Sequence, residues 1–143
     1  MSESFADRVV SMARKLGFTD CTVHAEAVRL VVPVEGADPV AVFVRPCGEL
    51  LGKEVLEFSS EGLALPADDA SKMPVLILAL QRNADVMLGH WGLDEQEDAS
   101  LLRVFHSQIE ETMDLPEFRG AVLAVADEFS TLQRGLSDVL TPS

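Results

Sequence analysis

Five side chains in this sequence have the types best suited to chemistry: Cys21, Cys47, His24, His90 and His106. Cys21 and His24 form a C-x-x-H pair, and no second pair completes a zinc site. A thiol nucleophile would need a histidine base within hydrogen-bond reach. Residues three apart in a regular strand point to opposite faces, which separates His24 from Cys21. Both cysteines therefore read as small hydrophobes. With no export signal, reduced thiols are favoured over a disulfide. His90 and His106 fall on two runs expected to pair as strands. With a carboxylate from the acidic turn 94–98 they could hold a divalent metal. Two surface histidines on a half-exposed sheet is the plainer reading. The acids at 94–98, and the group Glu110, Glu111 and Asp114, lack the ligand offsets of a calcium loop and read as solvated turns. No G-x-G-x-x-G, P-loop, G-x-S-x-G or H-E-x-x-H is present. The expectation is a protein that is not an enzyme, with no catalytic residues, no metal site and no cofactor. A small metal- or thiol-dependent enzyme using Cys21, His90 or His106 is the alternative from another class.

Apolar spacing defines the elements that would position these groups. The strongest is a helix over 114–140. Leu115, Phe118, Val122, Val125, Phe129, Leu132, Leu136 and Val139 recur in steps of three and four, on one face. Asp114 occupies an N-cap position, Pro116 the first turn, and Glu117 completes a capping box. This stripe reads as packing against a sheet. A coiled-coil seam is the other reading, and Gly120 and Gly135 weaken it. Leu123 and Leu140 lie off the stripe and point to a second contact.

Residues 4–16 form an N-terminal helix with Phe5, Val9, Met12 and Leu16 on one face. Ser4 can cap it, Gly17 can end it, and Phe18 can fold back on it. Three strands follow at 22–34, 40–45 and 51–58. Turn residues 35–39 part the first two, Pro46 and Gly48 close the second, and Gly52 interrupts the third. Asp68 and Asp69 precede a helix over 70–83. Proline is tolerated only in a first turn, so Pro74 sets the regular start near Met73. Val75, Leu76, Leu78, Ala79 and Leu80 make this helix apolar nearly all round. It should be buried on more than one side, within the domain or against a second copy. Strands at 85–93 and 100–109 complete the list. The fold class is α+β: an antiparallel sheet with helices in the order α-βββ-α-ββ-α, in one domain over 1–143.

The chain has 143 residues, 48% of them hydrophobic, which is enough for a core. Its formal net charge is −13. Such a charge repels phosphate backbones and anionic membranes, so no nucleic-acid or membrane partner is expected. A basic partner would be attracted, although solubility alone explains the charge. No run approaches the roughly 20 apolar residues of a membrane span. The opening MSESFADRVV lacks the charged-then-apolar order of a signal peptide, and a cytoplasmic protein is expected.

The element order resembles that of class I type III secretion chaperones (the Tir-chaperone type) and the related YbjN family. The run from Leu76 to Asn83 is similar to the family's buried helix, which ends in a leucine-x-x-Asn pattern. The run from Gly89 to Asp94 resembles the next strand and its turn, and Leu101 to Phe105 the last strand. The closing helix, with Asp127 as its mid-helix acid, is also similar. Phe58-Ser59-Ser60 followed by Leu65-Pro66 resembles the YbjN version more closely.

The resemblance implies a homodimer that binds a peptide or protein client without covalent chemistry, such as a secretion chaperone for an effector. A YbjN-like regulatory protein without an export client is the alternative. An extended client needs apolar pockets beside a sheet. The candidate partner-binding residues are Val40, Val42, Phe43, Val55, Leu56 and Phe58. The candidate dimer interface is Leu76, Leu78, Leu80 and Trp91.

Overall fold

A computed structural model describes residues 4–140, with side chains through 137. The side chains of Val139 and Leu140 lie outside the described residues. Helix α1 is Phe5–Lys15. The Ser4 hydroxyl caps it by accepting from the Asp7 amide at 3.1 Å. At its other end Gly17 has φ +88°. The Phe18 and Gly17 amides donate to the carbonyls of Ala13 and Arg14, a Schellman stop that turns buried Phe18 back onto the helix. Helix α3 is Leu115–Leu140. Its capping box forms as expected: the Asp114 carboxylate accepts from the Glu117 amide at 2.7 Å, and Glu117 accepts from the Asp114 amide at 3.3 Å.

Over the described residues the fold is α+β, with three helices and a seven-stranded antiparallel sheet. The strands are β1 (Cys21–His24), β2 (Ala27–Val32), β3 (Val40–Leu50), β4 (Lys53–Ser60), β5 (Leu63–Ala64), β6 (His90–Glu95) and β7 (Ser100–Ile109). They run β1-β2-β3-β4-β7. Strand β7 meets β4 and then β5 along one edge, and β6 along the other.

Several sequence expectations need correction, among them the strand expected at 85–93, which is β6 at His90–Glu95 because α2 runs on to Asp85. The single strand expected at 22–34 is a hairpin, β1–β2, turning at Ala25-Glu26. Ala25 takes φ +49°, so this turn lacks the glycine or asparagine that would have signalled it. The second strand does not stop at Arg45. It passes through Pro46, where β3 has β4 alone as a paired neighbour, and Cys47 then leaves the ladder in a bulge before Gly48; proline is found at such edges and bulges. Gly52 does not interrupt a strand; Leu51-Gly52 is the β3–β4 turn. Its φ values, +52° and +75°, suit the twist of a two-residue hairpin.

Helix α2 is Asp69–Asp85. It begins four residues before the expected start at Met73. The Asp68 carboxylate caps it by accepting from the Ser71 amide at 2.9 Å, so the helix is nucleated before Pro74 is reached. Pro74 sits beyond the first turn and has no N–H to give the Ala70 carbonyl.

The core lies between one sheet face and the helices. Val28, Leu30 and Val32 alternate along β2, Val40, Val42 and Val44 along β3, Leu56 and Phe58 along β4, and Leu102 and Val104 along β7. All are buried against the α3 stripe, of which Phe118, Val122, Val125, Phe129, Leu132 and Leu136 are buried. Phe58 and Phe118 meet edge to face at 5.6 Å between ring centroids. Helices α1 and α2 flank α3 on the same side. Among the described residues no helix packs on the other sheet face.

Candidate partner-binding surface

A buried ionic lock holds α2 in place. The Arg82 guanidinium donates two hydrogen bonds to the Glu128 carboxylate of α3, each 2.7 Å. The Trp91 indole N–H of β6 donates to the same carboxylate at 3.2 Å. Glu128 is only 4% exposed, so these donors replace the water it has lost. One residue along, Asn83 treats the Trp91 backbone as a strand would: its side-chain oxygen accepts from the Trp91 amide at 2.6 Å, and its amide donates to the Trp91 carbonyl at 3.2 Å. The Trp91 ring stacks on Phe129. Helix, edge strand and long helix are thus tied at one point.

The lock fixes which face of α2 points outward. Val75 and Ala79 are buried, and Leu76 and Leu78 pack half-buried against the core. Met73 (54%), Ile77 (48%) and Leu80 (68%) are exposed, at helical spacings of four and three. Ala84 continues the stripe, and beyond half-buried Val86 the apolar Met87 and Leu88 are exposed too. This is an apolar helix face with nothing packed on it among the described residues.

Of the four residues expected at a dimer surface, Leu80 lies on this stripe. Leu76 and Leu78 face the core, and Trp91 is 6% exposed inside the lock. Of the six expected pocket residues, Val40, Val42, Leu56 and Phe58 are sealed in the core and offer nothing to a partner. Their even alternation marks the helix-covered side. Phe43 and Val55 are half-buried on the uncovered side. Asp127 is exposed, and its neighbour Glu128 is the mid-helix acid the fold uses.

The chemistry-bearing residues do not converge. His90 pairs with Phe105 in the β6–β7 ladder, so alternation puts it and His106 on opposite faces. Among the described residues no group of three or more His, Cys, Asp and Glu side chains could hold a metal ion. His106 lies half-buried, its ring 6.2 Å from that of Phe58, and its Nε2 meets the Gln108 amide at 3.1 Å. Burial, and then the His90 charge, hold His106 below the usual histidine range. Both thiols are raised, chiefly by burial. That lowers the thiolate fraction at neutral pH, the opposite of nucleophile activation. No helix of the described residues is long and apolar enough to cross a membrane.

No protein-family model matches the chain, and no curated protein matches it. Among solved structures it is similar to one titled "Crystal structure of YbjN, a putative transcription regulator from E. coli", with a TM-score of 0.58 and 16% sequence identity. The match covers 90% of this chain and 88% of that one. The chain therefore has a YbjN-like fold.

Proposed function

We propose that this chain is a non-enzymatic, chaperone-like protein that works as a homodimer and binds a peptide or protein partner. The observation that carries the reading is the unpartnered stripe Met73, Ile77 and Leu80 on α2. Exposed contiguous apolar surface marks an interaction site. Two copies of α2 laid antiparallel about a two-fold axis would set Ile77 opposite Leu80 and Met73 opposite Ala84. The same residues would then meet in both halves of the contact, so the stripe is self-complementary.

Mass in solution tests this. The expected result is a dimer at micromolar concentration, converted to monomer by Ile77→Asp or Leu80→Asp with the fold intact by circular dichroism. A wild-type monomer at that concentration would remove the dimer reading. Capture from the host lysate then tests for a client, which should be held in a fixed ratio.

A YbjN-like regulator without an export client is the second reading. The near-complete two-way coverage by the YbjN fold favours it. It predicts that capture yields a partner that is not itself exported.

A further inference from the structure

The uncovered face of the sheet differs in charge from the rest of the molecule. Strand register and alternation place Arg29, Arg45 and Arg103 there, with Glu57 and Asp94 as its strand carboxylates. With Lys53 at the far end of β4, where it pairs with Glu111, the face carries four of the chain's 11 cations and two of its 24 carboxylates. Both carboxylates are already engaged: Glu57 with Arg45 at 2.9 Å, and Asp94 with Arg103 at 2.8 Å. Arg29 makes no ion pair or side-chain hydrogen bond among the described residues. It is a spare, half-buried cation in a protein of net charge −13.

The ladder sets Arg29, Phe43, Ser59, Phe105 and His90 in one row across five strands. Ser59 is the small member, between two phenylalanines that stand two strand spacings apart, about 10 Å. It floors a hollow of about 480 Å³ lined also by Phe43, Phe105, Arg45, Glu57 and Arg103. Gly92 widens this slot. A Cβ there would sit 2.9 Å from Phe105 ring carbons, so the ring leans over β6 only because Gly92 has no side chain.

We propose that this face docks an extended polypeptide segment with a carboxylate side chain three residues from an aromatic one. The carboxylate pairs with Arg29, and the aromatic ring enters the slot over Ser59. Arg29 and Ser59 are two strands apart, again about 10 Å. A polyproline II segment repeats its face every three residues, about 9 Å, and so matches that span. The proposal rests on the partner-binding reading and names its site and the partner's chemistry.

The test is a titration of isotope-labelled protein with acetyl-Glu-Pro-Pro-Phe-amide, read by amide chemical shifts. Saturable shifts at Arg29, Phe43, Ser59 and Phe105 are expected. The Lys-Pro-Pro-Phe peptide should bind at least about tenfold more weakly, the scale of one charge-assisted contact. Arg29→Glu should lose the peptide, Arg29→Lys should keep most of it, and Gly92→Ala should weaken it by closing the slot. Equal binding of the lysine peptide, an unaffected Arg29→Glu variant, or shifts confined to other faces would each overturn the proposal. Stronger shifts of the same amides with a short oligothymidylate would also overturn it and assign the face to nucleic acid. The two readings fail separately. A monomer whose sheet face binds the peptide loses only the dimer, and a dimer with a silent sheet face loses only this site.

Discussion

The two faces of the sheet are written in the same alternating code but solve different problems. The covered face is Val, Leu and Phe without exception across the centres of β2, β3 and β4, and α3 meets it with a matching stripe. The open face mixes Arg, Glu, Ser and Phe on the intervening residues of the same strands. A strand that is half core and half surface can commit one side to stability and leave the other for recognition. The helix layer divides in a similar way: α3 is buried along its stripe, while α2 keeps an apolar edge outside.

Cutting a ring from each face would break this comparison most sharply. Phe58→Ala empties a fully buried site, and the expected loss is about 3–5 kcal/mol in a denaturant melt. Phe105→Ala on the open face should cost about 1 kcal/mol or less, since little packs over it. Equal losses would mean that the open face is core in solution.

Arg82→Ala tests the lock that sets the α2 edge. It leaves the Glu128 carboxylate buried with one indole donor, a loss of about 3 kcal/mol or more. Removing both charges, as Arg82→Met with Glu128→Leu, should restore much of that stability, because no buried charge then stands alone. A double variant as unstable as the single one would show that the pair's directional bonds, rather than the charge left behind, hold α2.

The smallest effect lies with His106. Its folded pKa is lowered by burial, so the unfolded chain takes up a proton that the folded chain refuses. Stability from this group is full above the unfolded pKa of about 6.5 and falls as pH drops through the window down to the folded value. His106→Gln should flatten that part of the melting-temperature profile. An unchanged slope between pH 7 and 5 would assign the dependence to the carboxylates.

Local signals were legible in the sequence, and long-range ones were not. The Asp114–Glu117 box and the Gly17 stop are each complete within a few residues, and both formed as read. The Ala25 turn carries no turn residue, because its shape is imposed by the β1–β2 pairing on either side. Glu128 looks like any acid on a helix, and its burial depends on Arg82, 46 positions away. The same distance problem misplaced the pocket residues. Phe58 and Phe43 are alike in sequence, and only the side on which α3 lies makes one core and the other surface.

The β3–β4 hairpin has a practical use. Residues 47–54 are all exposed, and Leu51 at the tip holds a left-handed backbone with its side chain in water. Nothing buried depends on this tip, so a peptide tag or a fluorophore-bearing loop spliced between Leu51 and Gly52 should be accepted. A molecule tethered there would sit on a surface by its hairpin alone, with the sheet face and the α2 stripe both left free for a partner in solution.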